Sequence, residues 1–332
     1  MPFSDPRLVL MEPQSLVRAP DARSDPHPTT PGELAGDIGR SVRDAMDSSG
    51  SGAPASGRAV RDILSTNEIF RRVVATADEE FSEPNRLLFF SGLAAGLSIA
   101  LSFIAKAGVT GATDAEMLGN VVYPIGFVFI VLGRYQLFTE NTLTPVALVL
   151  TRRASIPRLL TLWTLVYAAN LLGSAIAAFA IAHTPILTPE AFEYARDFGK
   201  HALETTPTQL FWKGLIAGWL VAGMVWLTHA VRDATTRLFL VFVIMFLIPS
   251  ADLFHCIVGS CEVFFLAFLG EAGFVEAFTS FILPTTAGNT VGGVLLVAVL
   301  NFAQTHDSTF SDRGTLTWKE MFMRRSVSPR SK

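Results

Sequence analysis

Residues 134–145 read RYQLFTENTLTP and lie in the middle of a long apolar region. Arg134 and Glu140 interrupt it where a membrane-crossing helix would run without a break, and hydroxyl and amide side chains surround them. Charge at bilayer depth is expensive and is kept where it pairs or lines a path. Irregular backbone at that depth is tolerated only inside protein or beside a water-filled cavity. With Pro145 just downstream, the stretch reads as a break in a helix rather than a long tilted helix.

The flanking composition supports a membrane reading. Half of the 332 residues are hydrophobic, 17% are charged, and the mean hydropathy is +0.41. From Leu87 to about Gln304 the chain is a series of apolar runs, at 87–105, 118–150, 157–182, 209–231, 236–270 and 276–303. About 20 apolar residues cross a bilayer, so the minimal reading is six crossings. The second and fifth runs are too long for one simple helix. The polar faces that a soluble bundle would need are missing.

Four regions are expected: a disordered cytoplasmic tail at 1–58, an amphipathic helix at 59–84, a channel domain at 85–305 and a cytoplasmic tail at 306–332. The first is rich in Pro, Ser, Gly, Asp and Arg and has too little apolar surface to offset the entropy of folding. No signal-peptide pattern opens it. In the second, Val60, Ile63, Leu64, Phe70, Val74, Ala77 and Phe81 fall near helical spacing, and Ser65 with Glu68 fits a capping box. Arg152, Arg153, Arg158, Arg232 and Arg237 follow the even-numbered runs, and the C-terminal tail is basic. The opposite connections are acidic or mixed, so both termini are expected in the cytoplasm. Cys256 and Cys261 read as unpaired core residues.

The two halves of the apolar region echo each other. GLAAG at 92–96 matches GLIAG at 214–218, an offset of 122 (214 − 92). LFT at 137–139 matches LFH at 253–255, an offset of 116 (253 − 137), and NLLG at 170–173 resembles NTVGG at 289–293, an offset of 119 (289 − 170). Three runs in each half is an odd number, so the halves would sit with opposite topology. Inverted repeats of this kind place their site near the midplane, between discontinuous helices. The fold expected is therefore an all-α membrane protein of six crossings, as two inverted three-helix repeats with the second and fifth helices broken.

LFTENTL, NLLG, the lone His255 at the second break and LPTTAGNTVGG in the sixth run together resemble the formate/nitrite transporter family, over roughly residues 60–305. The resemblance implies an inner-membrane homopentamer of aquaporin-like protomers, each with its own pore for small monovalent anions such as formate, nitrite, hydrosulfide or lactate, and no cofactor. It also assigns site residues. His255 matches the central pore histidine and Thr139 the threonine of the broken second helix. Leu137 with Ile248 matches one apolar constriction, and Tyr123 with Phe127 the other. Asn170 and Asn289 match asparagines that bind the loop backbone. Gly259 stands where the family commonly has asparagine, and Arg134, Glu140, Asp252 and Lys213 also depart from its pattern.

Physical chemistry gives a histidine there a purpose. Stripping water from a bare carboxylate costs several kcal/mol even after relaxation. Protonating a carboxylate of pKa near 4 at neutral pH costs about 4 kcal/mol. Histidine, which ionises nearest neutrality, can supply a proton or hydrogen bond cheaply. His255 reads as that donor with Thr139 orienting the anion; the plainer alternatives are a buried histidine bonded to a carbonyl and a helix-capping threonine. Arg134 and Glu140 read as supports of the broken helix, paired with each other or with Asp252, or else Arg134 as a vestibule charge. Lys213 reads as snorkelling to the interface, with anion attraction the second choice, and Glu262 as half of an internal pair.

Two other functions fit the same residues: a pore for a small neutral solute, and a non-transporting sensor or scaffold. No nucleophile–base pair, phosphate loop or metal-ligand cluster is present in the sequence, so an enzyme, a metal and nucleic-acid binding are not expected.

Overall fold

The structure is a computed structural model that describes residues 64–305 and 315–323. The expected tail at 1–58 lies outside the described residues. Those residues form helices and connections, with no strand among them.

Helix α1 is Thr66–Ser82. The Glu68 N–H donates to Ser65 Oγ at 3.3 Å and the Glu68 carboxylate accepts the Ser65 N–H at 2.8 Å, so the capping box closes both ways. Its buried face carries Ile69, Phe70, Val73, Val74, Ala77 and Phe81. Helix α2 is Asn85–Thr113, and α3 is Glu116–Gly133 with a turn at Tyr123–Pro124. A non-helical stretch and one 3₁₀ turn, Glu140–Thr142, lead to the short α4, Thr144–Leu150. Then come α5 (Ile156–His183), α6 (Pro189–Glu204), α7 (Pro207–Ala230), α8 (Ala234–Ser250) and α9 (Cys256–Leu269). The last long element, α10, is Phe274–Ala303 and widens to π-helical turns at Ala277–Ile282 and Val294–Val299. In the C-terminal tail, α11 (Trp318–Met323) is held by Leu316, whose N–H donates to the Arg152 carbonyl at 2.7 Å.

Five of these helices, α2, α3, α5, α7 and α10, are long and apolar enough to cross a membrane. The fifth apolar run is divided between α8 and α9, which are apolar but shorter, at 17 and 14 residues. The second run stops at Gly133, earlier than LFTEN, because Arg134 adopts a left-handed conformation at φ 56°. Asp252 does the same at φ 50° just after α8. Among the backbone bonds that close the corners are Tyr135 N–H to the Ile130 carbonyl at 3.0 Å and Leu253 N–H to the Ile248 carbonyl at 2.9 Å. Those bonds satisfy carbonyls that the ended helix leaves free.

Two asparagines tie the breaks to their neighbours with the same set of bonds. Asn170 Oδ1 accepts the Phe138 N–H at 2.8 Å, and its Nδ2 donates to the Gly92 and Gln136 carbonyls at 2.8 and 2.9 Å. Asn289 Oδ1 accepts the Cys256 N–H at 2.9 Å, and its Nδ2 donates to the Gly214 and Phe254 carbonyls at 2.7 and 3.0 Å. This matching sets Phe138 beside Cys256, an offset of 118 (256 − 138), rather than the 116 that LFT and LFH suggest. The close approach of helices is duplicated too. A Cβ at Gly96 would strike the Asn170 carbonyl, and one at Gly218 the Asn289 carbonyl.

Residues 188–205, read from sequence as a mixed outer loop, instead hold α6. Thr188 caps it by accepting the Ala191 N–H at 3.3 Å, and Pro189 starts it. Its buried face is Ala191, Ala195, Gly199 and Ala202, small residues that bring it close to α9, where Gly199 lies against the Glu262 carbonyl and Leu266. The exposed charges of its other face, Glu190, Glu193, Asp197 and Glu204, made the stretch read as a connection.

Candidate functional site

The two breaks meet. Thr139, at the end of the first irregular stretch, and His255, immediately before α9, lie with Thr139 Oγ1 and His255 Nε2 2.8 Å apart. His255 is the residue capping α9, and its Nδ1 accepts the Val258 N–H at 3.2 Å. A ring nitrogen that accepts carries no proton, so this arrangement assigns the imidazole hydrogen to Nε2. Nε2–H then donates to Thr139 Oγ1, and the threonine hydroxyl keeps its own hydrogen for a third group. Neither residue is bonded as the plainer readings had it: His255 does not hold a carbonyl, and the Thr139 hydroxyl caps no helix.

Aromatic rings cover the pair on one side. The Phe127 ring meets the His255 ring edge-on at 5.1 Å, and Tyr123 lies 6.0 Å from Phe127. Leu137, in the first break, and Ile248, in the last turn of α8, are both buried in the same apolar cluster as Phe127 and Tyr123. Of the expected pore residues, Thr139, His255, Phe127 and Tyr123 are thus linked by direct contacts, while Leu137 and Ile248 are buried in the apolar core they share with the rings. Below Thr139 the loop closes on itself, with Thr142 Oγ1 donating to the Thr139 carbonyl at 2.7 Å and Asn141 Nδ2 to Gln136 Oε1 at 3.0 Å.

The charges are arranged differently from the sequence expectation. Arg134 pairs neither with Glu140 nor with Asp252. Its guanidinium reaches Glu79 of α1 at 3.1 Å, with the two side chains 79% and 69% exposed. Asp252 binds Lys213 and, at 2.9 Å, His201 of α6. Lys213 is thus held by a carboxylate rather than snorkelling away. Both left-handed corners are exposed, which is where a charged side chain is affordable. Glu140 is the exception: its carboxyl is buried, and its Oε1 has no hydrogen-bond partner among the described residues. Nearby, Glu80 of α1 accepts the Thr144 hydroxyl at 2.8 and 3.1 Å. Burial raises the Glu80 carboxyl to about 7, against the hydrogen bonds from Thr144 and Gln136 that lower it.

Sequence reasoning did not single out Glu80, His201 or Lys106. Glu80 sits in an acidic surface run, His201 in an apparent loop, and Lys106 at the end of an apolar run where a lysine reads as an interface residue. Among the described residues there is no group of His, Cys, Asp and Glu that could hold a metal, and both cysteines are free and buried.

An all-helical membrane protein whose two interrupted helices meet at a buried threonine–histidine pair belongs to the class of membrane channels and transporters. The formate/nitrite transporter profile matches residues 67–303, and the chain belongs to that family, whose members are channels or transporters and not enzymes. It is 32% identical to the inner membrane protein YfdC of Escherichia coli over 74% of this chain and 80% of the relative. It is 27% identical to a probable formate transporter of Methanothermobacter thermautotrophicus, over 64% of this chain and 82% of the relative. Among solved structures, a pentameric formate channel with formate bound is similar at a TM-score of 0.56 and 26% identity, covering 69% of this chain and 97% of that one.

Proposed function

We propose that the chain is an inner-membrane homopentamer in which each protomer conducts small monovalent anions of the formate and nitrite type. Each protomer would cross the membrane six times as two inverted repeats, with α8 and α9 together making the fifth crossing and both termini in the cytoplasm. The duplicated asparagine bonds and the paired left-handed corners support the repeat. The named formate transporter and the pentameric formate channel support the substrate class and the assembly. The observation that carries the reading is the 2.8 Å contact between Thr139 and His255 where the two breaks converge.

At that junction the anion meets hydrogen-bond donors and no fixed charge. Thr139 offers its hydroxyl hydrogen, and His255 holds the hydroxyl in that orientation through Nε2–H. Leu137 with Ile248, and Tyr123 with Phe127, exclude water on either side, which strengthens those bonds. The proton-donor role for His255 meets an obstacle here. Giving up Nε2–H from neutral imidazole would leave an imidazolate. Donating from imidazolium would need a proton on Nδ1, which already accepts the Val258 N–H. The pair acts as a hydrogen-bond site, and the proton enters elsewhere.

Uptake of formate, nitrite, lactate and hydrosulfide into proteoliposomes, with urea as the neutral comparison, tests the reading between pH 5 and 8. Anion uptake without urea uptake is expected. Urea alone moving would mean a neutral-solute pore, and no flux would mean a sensor or scaffold. Asparagine is a good helix cap and can also donate to Thr139. His255→Asn should therefore keep formate uptake within about tenfold of wild type and leave the shape of its pH profile unchanged. A profile flattened by His255→Asn would restore the histidine as proton donor.

A further inference from the structure

A second group of buried charges lies beyond the aromatic rings. Lys106 of α2 is 1% exposed, with its ammonium 3.3 Å from Glu116 Oε1 and 4.1 Å above the Phe198 ring of α6. Glu262 of α9 is also nearly fully buried, at 3% exposed, and among the described residues it makes no hydrogen bond or ion pair within 4.0 Å. It lies within electrostatic reach of Lys106 and of the Tyr123 hydroxyl. Tyr194 of α6 donates its hydroxyl to Glu116 at 3.4 Å, and Asp252, just before α9, acts on Lys106 from further off.

The position of Glu262 along the path follows from helix geometry. It is seven residues beyond His255 on α9, about 10 Å along the axis and on nearly the same face. On the facing helix the chain runs the other way, with Phe127 against His255 and Tyr123 one turn further out. On α2, Ser102 accepts the Gly126 N–H at 3.2 Å, and the Lys106 carbonyl, one turn later, lies against Gly119. Lys106 and Glu262 therefore stand on the far side of the Tyr123–Phe127 layer from His255, toward α6 and the turn at 114–115. That is the outer side in the topology proposed above.

An anion entering from that side meets the ring layer before it meets His255. The donor that neutralises it has to stand ahead of the rings. We propose that Glu262 is that donor, and that Lys106 is the cation which holds the arriving anion and then stabilises the carboxylate left behind. The proposal rests on the anion-transport reading. In the transfer the O–H bond of the Glu262 carboxyl breaks and one forms on the permeant carboxylate, giving neutral acid and ionised Glu262. Lys106 compensates the new negative charge, and a proton from outer water restores the carboxyl. The buried carboxyl without a partner and the buried lysine beside it then have a common purpose.

The test is formate uptake by full-length protein in proteoliposomes, with external pH varied from 5 to 8 and luminal acidification followed in parallel. At pH 5 bulk water already supplies about a hundredfold more neutral acid than at pH 7, since the carboxyl pKa is near 4. Glu262→Gln should therefore lose roughly tenfold of its uptake and acidification at pH 7 and approach wild type at pH 5. Glu262→Asp, which still titrates, should recover most of the pH 7 rate. A loss that is equal at every pH, or no loss, would overturn the proposal. Should Glu262→Gln fail to assemble, Lys106→Gln gives the second reading, with the same defect confined to higher pH expected. Wild-type protein that moves no anion would instead defeat the transport reading itself.

Discussion

Asn170 and Asn289 each use one amide to satisfy three backbone groups, one on a neighbouring helix and two on the break. Both side chains are fully buried, so water cannot replace what they lose. Aspartate has nearly the same shape and keeps the acceptor but not the two donors. Asn170→Asp and Asn289→Asp should each destabilise the protein by about 2–4 kcal/mol, since two buried carbonyls lose their partner and a carboxylate is buried. The loss should be similar at both positions, because the bonds match one for one. Thermal unfolding of the detergent-solubilised protein measures it; a stable Asn289→Asp beside an unstable Asn170→Asp would show that the two breaks are held differently. These asparagines were legible from sequence as loop supports. Lys106 with Glu262 was not, because the two residues come from helices far apart in the chain and only packing brings them together.

Among the elements, the breaks were readable and the surface helices only half so. Overlong apolar runs, polar residues at depth and Pro145 gave the interruptions away. What the pattern lacked was register: left-handed corners at Arg134 and Asp252 end the helices, arginine has no preference for that conformation, and the enrichment of aspartate in it does not fix which aspartate turns. Helix α1 showed its large apolar residues, whereas α6 buries alanine and glycine. The two helices hold equivalent places, each preceding a long helix and each gripping an exposed corner, through Glu79–Arg134 and His201–Asp252. Exposed pairs of this kind contribute about 0–1 kcal/mol. Glu80 is a stronger determinant of how α1 docks. Its carboxyl ionises at about 7 when docked and near 4.5 when free. The docked state therefore binds more protons, so docking is strongest below pH 4.5 and weakens as pH rises to 7, by about 3 kcal/mol at most. Amide hydrogen exchange in α1, corrected for the intrinsic rate, should show less protection at pH 8 than at pH 5. Glu80→Gln should remove that difference; if the difference persists, the buried Glu140 nearby is the titrating group.

At the scale of the whole molecule, the protomer carries its own site. Thr139, His255 and the rings around them come from a single chain. Its outside is covered with exposed apolar side chains such as Trp212, Trp219, Phe239 and Phe179, suited to lipid or to other protomers. On the proposed function, a homopentamer would have five independent paths rather than one shared pore. Mixed assemblies separate the two arrangements. Wild-type subunits co-expressed with an inactive but assembled variant, each carrying a different tag, give pentamers of graded composition. With independent paths, uptake falls in proportion to the inactive fraction, so half the subunits inactive leaves about half the flux. With one pore that needs every subunit intact, the same mixture would leave about one part in thirty. The proportional result is expected, because the Thr139–His255 pair and the rings beside it lie within one chain.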